Sequence, residues 1–328
     1  MNDSVSVERV YRGLESKFGP VGRTLSRLIR PAFVAPEGKM FVWADWSAVE
    51  ARITPWLADS RGSRKVVEVF RENDLDPSLP DIYMMDAGDI LHKPATEITK
   101  KERNAYGKVS RLSLAFLGGK GALFGMARNY GASFTEDEAQ EIIDNWRAAN
   151  QWAMTFGYDM WEAALWCLDN PGEAREVGRV TFYYNPDYIK GTLFVVLPDG
   201  TWLSYPAVRW EERERKDKMT GKTEVRTQLT YRSGRARIGL WPGMFSNNVT
   251  QGTAACLLRH SLVRVESEGL YDILLHTHDE MLTCVPEEQA QDAADYLVRV
   301  MSEAPDWAEG LPLAVEATIG DYYSKAIE

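Results

Sequence analysis

Leu274-Leu275-His276-Thr277-His278-Asp279-Glu280-Met281-Leu282 sets a polar tip between two apolar runs. Ile273, Leu274 and Leu275 before the tip and Met281 and Leu282 after it read as two short strands, so His278-Asp279-Glu280 stands at a tight turn. Neighbouring carboxylates in such a turn repel each other. A cation removes that cost, and hard divalent ions such as Mg2+ take carboxylate oxygen. A second strand of the same form lies far upstream. Met40-Phe41-Val42-Trp43-Ala44-Asp45-Trp46-Ser47 is an apolar run that stops at Asp45, with Ser47 placed to cap a following helix. Either aspartate alone reads equally well as the cap of a turn; two strand ends of one design point to a metal site.

Outward from these strands the chain reads as mixed helix and sheet. A helical lead-in runs to Gly19-Pro20, after which Arg23, Arg27 and Arg30 recur at helical spacing. From Ser47 to Leu57, Val49, Ile53, Trp56 and Leu57 fall on one helical face, and Glu50 begins near the strand end that carries Asp45. A turn region follows at 72–80. The spacing predicts one helix over Lys101–Leu117, stopped by Gly118-Gly119, with Lys101, Asn104, Lys108 and Arg111 on one stripe. Such a stripe is either a solvated face or a set of cations for a triphosphate. Thr135-Glu136-Asp137-Glu138 opens a helix with Ala139, Ile142, Ile143 and Trp146 as its seam, and helix continues to about Leu168 as core.

Residues 176–240 alternate and are rich in turns, a small β excursion with a charged hairpin tip at Met219-Thr220-Gly221-Lys222. Helix returns over Ser246–Val265, with Asn247, Asn248 and Gln251 near its start, and again over Glu287–Met301. A last strand is expected over Leu311–Ile319.

With 328 residues, 45% hydrophobic and 26% charged, the chain suits a large core and about two domains. No run is long enough to cross a bilayer and no apolar signal segment opens the chain, so a cytoplasmic address and no membrane partner are expected. Cys167, Cys256 and Cys284 lack metal-ligand spacing and read as reduced, buried thiols. The net charge of −10 taken alone argues against a nucleic-acid binder, but the charge is unevenly placed: Ser261–Glu328 holds fifteen acids against three bases. Arg12–Arg30, Lys100–Arg128 and Arg209–Arg237 are locally basic, the last with ten bases against five acids. Each run alone reads as well as a solvated face; together they suggest a positive cleft in an acidic body.

Ile29-Arg30-Pro31-Ala32-Phe33-Val34-Ala35-Pro36-Glu37-Gly38 leading to Asp45-Trp46-Ser47-Ala48-Val49-Glu50-Ala51-Arg52 resembles the first polymerase motif of family A DNA polymerases, the bacterial DNA polymerase I relatives. Lys108 to Gly119 is similar to their second motif, and Asn248 to Ala255 and His278-Asp279-Glu280 to the two later ones. Asp45-Trp46-Ser47, Gly107-Lys108-Val109 and Leu311-Pro312-Leu313 resemble the bacteriophage branch.

The resemblance implies an α+β fold, a right-hand palm with an antiparallel sheet and helical fingers. Residues 1–60 and 241–328 would form the palm, 61–175 the fingers and 176–240 the β insertion. It implies template-directed addition of deoxynucleotides to a primer 3′ end. Two Mg2+ ions would sit on Asp45, Asp279 and the backbone carbonyl of Trp46. Lys108 would meet the triphosphate and supply the leaving-group proton, and Glu50 would block a ribose 2′ hydroxyl. Tyr83 would contact phosphate, and Arg23, Arg30, Asn248 and Gln251 DNA. Glu280 and His278 would support the metal turn.

Three departures from the family pattern stand on the fingers side. Leu112 replaces a Phe, Phe116 replaces a Tyr, and Asn104 stands where a phosphate-binding Arg belongs, with Arg103 and Arg111 as substitutes. Only 44 residues precede Asp45, so a separate chain supplying thumb and exonuclease is expected as a partner, beside primer-template DNA and deoxynucleoside triphosphates. The competing readings are a catalytically weak polymerase-like replisome scaffold, a single-subunit RNA polymerase, disfavoured by Glu50, and a two-metal nuclease, which leaves the Lys108 helix unexplained.

Overall fold

The computed structural model describes residues 7–216 and 223–324. Along the chain, α1 (Val7–Phe18) ends at Gly19, and α2 (Val21–Ile29) follows Pro20. After β1 (Lys39–Trp46) come α3 (Val49–Ala58), α4 (Arg61–Leu75) and α5 (Ile82–Leu91). The short α6 (Lys100–Glu102) passes into a π-helical segment over Arg103–Lys108 and then into α7 (Val109–Leu114). Next stand α8 (Lys120–Asn129), α9 (Glu136–Ala149) and α10 (Gln151–Asp169). Strands β2 (Ala174–Val177), β3 (Val180–Asn185), β4 (Thr192–Val196) and β5 (Trp202–Pro206) form one antiparallel sheet, and β6 (Arg209–Lys216), β7 (Thr223–Ser233) and β8 (Ala236–Gly239) a second. The long α11 (Pro242–Glu268) leads to β9 (Ile273–Thr277), β10 (Glu280–Pro286), α12 (Ala290–Ser302) and β11 (Val315–Gly320).

These elements fall into two compact units. The first gathers the chain up to Ser47, His260–Glu303 and the chain from Val315 onward around a sheet of order β11-β1-β10-β9. β1 is central and antiparallel to both neighbours, with Asp45 opposite Glu280 and opposite Glu316. Alternation assigns its two faces. Val42, Ala44 and Trp46 are buried, and α12 packs on β1 and β11; Trp46 Nε1 donates to the Met301 carbonyl at 2.8 Å. Phe41 and Trp43 form a cluster with Leu282 and Tyr323, Trp43 and Tyr323 meeting edge to face at 5.5 Å, a pair worth about 0.5–1.5 kcal/mol beyond its burial.

The second unit comprises Ala48–Arg259 with Ala304–Ala314. Its helices enclose an apolar cluster that includes Val109, Leu114, Leu123, Ile142, Trp146 and Trp152. The capping box read at Thr135 and Glu138 is present, and the Ala139, Ile142, Ile143, Trp146 seam is buried. Helix α10 packs on β2 and β3, so the Trp- and Met-rich stretch is core.

Four expectations change. Ser47 does not take the cap position of α3; that position is Ala48, held at φ +56 without a side-chain cap. Lys101–Leu117 is helical but not one α-helix, because the π segment interrupts it. The last strand starts at Val315 rather than Leu311, since Pro312 has no N–H for a sheet ladder. Helix α11 starts at Pro242, where a missing N–H costs nothing. The hairpin tip Met219–Lys222 lies outside the described residues. Among the described residues no helix is long and apolar enough to cross a membrane.

Candidate active site

In the first unit the two sequence-distant aspartates come to one end of adjacent strands. His278 and Asp279 form the two-residue connection between β9 and β10, with His278 exposed at φ +57, a left-handed conformation that His adopts more readily than most residues. The Trp46 N–H donates to the Asp279 carbonyl at 3.4 Å, which fixes the turn beside the end of β1. Asp45 and Asp279 are each half-buried.

Glu280 is fully buried beside them, opposite Asp45 in the ladder. Arg30 Nη1 donates to both of its oxygens at 3.0 Å, and the Arg30 guanidinium stacks over Tyr323 at 4.7 Å. Arg30 Nη1 is thus held by Glu280, with the side chain still 28% exposed. The result is a part-buried ion pair, sealed on the Glu280 side and open on the Arg30 side, beneath two half-buried aspartates. Mg2+ keeps several waters and binds through one or two carboxylates plus substrate phosphates, so this donor set fits it. Among the described residues no group of three or more His, Cys, Asp or Glu stands together as a metal cage.

The second unit holds the residues expected on the nucleotide side. In the π segment, Gly107 lies so close to α5 that a Cβ there would stand 1.9 Å from the Tyr83 carbonyl oxygen. Only glycine permits that approach. Asp81 caps α5 through the Met84 N–H at 2.8 Å and takes Arg103 Nε on its other oxygen at 2.6 Å. The Arg103 guanidinium covers the buried Tyr83 ring at 4.9 Å. Burial pushes the Tyr83 hydroxyl up to about 12 against the pull of Arg111 and Arg103. Lys108 is half-buried with its ammonium 5.3 Å from the Tyr130 ring centre.

Leu112, Phe116 and Glu50 line one recess with Ala51, Thr54 and Trp152. Gln251 Nε2 donates to Glu50 Oε1 at 3.2 Å, and the Thr54 and Thr250 hydroxyls meet at 3.0 Å, which ties α3 to α11. Asn248 instead donates to the Tyr205 hydroxyl at 3.0 Å. Gln251 and Asn248 thus serve different neighbours. The Arg23 side chain lies outside the described residues.

Arg111 does not join Lys108 on a presented stripe. Its side chain is 2% exposed and donates twice to Asp86, at 2.6 and 2.7 Å, with the guanidinium 5.6 Å from the Trp146 ring centre. The π segment explains the error: its hydrogen bonds span one residue more than α bonds and change the angle per residue, so a stripe drawn at 3.6 spacing fails across it. Asp86, which holds Arg111, was not singled out from the sequence. It sits inside the largely apolar run Ile82–Leu91 beside Asp89, where nothing in the spacing marks which acid is buried.

Residues 20–164 match the model of DNA polymerase family A. The chain is 35% identical over 322 residues to the DNA polymerase of Bacillus phage SP02, covering 96% of this chain and 46% of that protein. It is 25% identical over 312 residues to DNA polymerase I of Pseudomonas aeruginosa, covering 94% of this chain and 27% of that protein. It thus spans less than half the length of these relatives. Among solved structures it shares the fold of the POL domain of Pol1 from M. smegmatis, in complex with DNA primer-template and dNTP. The TM-score is 0.57 at 18% identity, over 92% of this chain and 43% of that one.

Proposed function

We propose that the chain belongs to DNA polymerase family A and that it adds deoxynucleotides to a primer 3′ end under the direction of a template. One observation carries the reading: Asp45 and Asp279, far apart in sequence, stand at the same end of two paired strands. Asp45, Asp279 and the Trp46 carbonyl would hold two Mg2+ ions. Such ions, when bound, activate a hydroxyl nucleophile and stabilise the attacking and leaving oxygens of an in-line displacement.

The chain's own residues supply position and charge. Glu280, clamped by Arg30, fixes the turn so that Asp279 and Asp45 keep their spacing, and His278 lies at the exposed tip of the same turn. In the second unit, Lys108 Nζ meets the triphosphate and donates a proton to the departing pyrophosphate. Arg103 and Tyr83 serve the phosphates. Leu112 and Phe116 pack on the sugar and base, and the Glu50 carboxylate, oriented by Gln251, fills the space a ribose 2′ hydroxyl needs. Asn248 and Arg23 serve the template-primer.

Magnesium-dependent primer extension by the purified chain, beside Asp45→Ala and Asp279→Ala, tests the reading. Each substitution is expected to lower the rate roughly a thousandfold or more, since several kcal/mol of transition-state charge stabilisation goes with the metal. Deoxynucleotides are expected to be used over ribonucleotides, and Glu50→Ala to narrow that preference. DNA binding without magnesium-dependent turnover would overturn the reading in favour of a scaffold. Extension that appears only after a second polypeptide is added would place the grip on the duplex in another chain.

A further inference from the structure

The β6–β7–β8 sheet segregates charge by face. Register puts Arg209 opposite Thr230, Glu211 opposite Gln228, and Arg213 opposite Arg226; Arg232 faces Arg237 across the next ladder. Paired residues share a face and alternate residues share a face. Among the described residues, one face therefore carries Arg209, Arg213, Arg226, Arg232 and Arg237 against Glu211 and Glu224. The other carries Trp210, Glu212, Glu214 and Val225, with Trp210 52% and Val225 62% exposed.

The arginine face is more than a solvated surface. Like charges directly opposite each other destabilise a sheet, and this face has two such pairs. Glu211 already takes Arg209 at 2.5 Å and Arg237 at 3.0 Å, and Glu224 takes Arg226 at 2.7 Å. Among the described residues no acid stands within ion-pair distance of Arg213 or Arg232. The acids of β6 that are needed to balance them, Glu212 and Glu214, point to the opposite face. A chain of net charge −10 that concentrates arginine on one sheet face, against the cost of opposed cations, is built for a polyanion. Arginine's fork matches phosphate oxygens, and most protein contacts to DNA are to its backbone.

We propose that the arginine face of the β6–β7–β8 sheet binds the phosphate backbone of primer-template DNA. The proposal rests on DNA being the substrate, and it assigns to this sheet affinity without sequence preference.

Fluorescence anisotropy of a labelled primer-template on the full chain, titrated over salt, tests it. Arg213→Glu places an acid opposite Arg226, so it repairs the sheet while damaging the anion site. Binding is expected to weaken about tenfold, and the slope of log affinity against log salt to flatten by about 1 for each arginine removed, with thermal stability held or raised. The control E212Q/E214Q, on the opposite face, is expected to leave binding and slope unchanged. Unchanged affinity and slope in Arg213→Glu would overturn the proposal and leave the face for an acidic protein. So would binding that falls only together with the melting temperature. Because anisotropy reads binding and not synthesis, a chain that binds through this face yet extends no primer would break the proposed activity and leave the surface standing.

Discussion

Two arginine–carboxylate pairs, one in each unit, show how burial sets the meaning of the same chemistry. Arg111 and Asp86 are each 2% exposed and joined by two hydrogen bonds. Arg30 and Glu280 are joined through one guanidinium nitrogen, with Glu280 1% and Arg30 28% exposed. The first pair is sealed, and neither partner has a route to water if the other is lost. In the second, Arg30 has solvent and the Tyr323 ring to turn to. The sealed pair is structural on both sides, whereas the open pair presents one partner at the foundation of the candidate metal turn.

The largest expected effect that would break this comparison is on the sealed pair. Asp86→Ala strands a buried guanidinium and should cost about 3–5 kcal/mol, read by urea unfolding. The double replacement D86L/R111M should recover most of that loss, because a packed apolar pair replaces two charges. A double variant as unstable as the single one would show that charge is not what holds the site.

Glu280→Gln should cost less, about 1–3 kcal/mol, since Arg30 keeps water on one side. It should also slow primer extension through a loosened Asp279 turn. Equal losses in the two pairs would erase the distinction drawn from exposure.

The exposed end of the series is Lys93–Glu102, at 2.5 Å. Glu102 is held down to about 2, first by the Lys93 hydrogen bond and then by the Thr99 N–H that it caps. A carboxylate with a depressed folded-state pKa contributes stability above its unfolded value, and that contribution is lost as pH falls through the folded value. The melting-temperature difference between wild type and Glu102→Gln should therefore be small at pH 7. It should shrink from about pH 4.5 toward pH 2. A difference that grows on acidification would contradict the hydrogen bonds assigned to it.

The same contrast explains what the sequence made legible. A strand has a period of two with no drift, so the apolar runs around Asp45 and His278-Asp279-Glu280 give sheet, turn and facing directly. Nothing in the letters around Lys108 marks a π segment, nor the close seat of Gly107 on the Tyr83 carbonyl within it, a contact between separate elements. Once the turns widen, Arg111 leaves the stripe and finds an acid hidden in an apolar helix. The strands and turn that carry the two aspartates are therefore readable, whereas the side chains around Lys108 are readable by residue type and not by direction. In the charged hairpin the composition was evident, but its division into a cationic and an acidic face needed the register.

The order β11-β1-β10-β9 has a consequence for synthesis of the chain itself. β1 is translated before the whole of Ala48–Arg259, and both of its partners, Glu280–Pro286 and Val315–Gly320, come after that stretch. Until then its run of Phe41, Val42, Trp43 and Ala44 has two open edges and no ladder. The second unit has nearly all of its residues, Ala48–Arg259, in one contiguous stretch, so it is able to fold vectorially while β1 waits. An apolar strand with both edges open until its partners arrive is a template for pairing with another chain, so β1 is an aggregation hazard during synthesis.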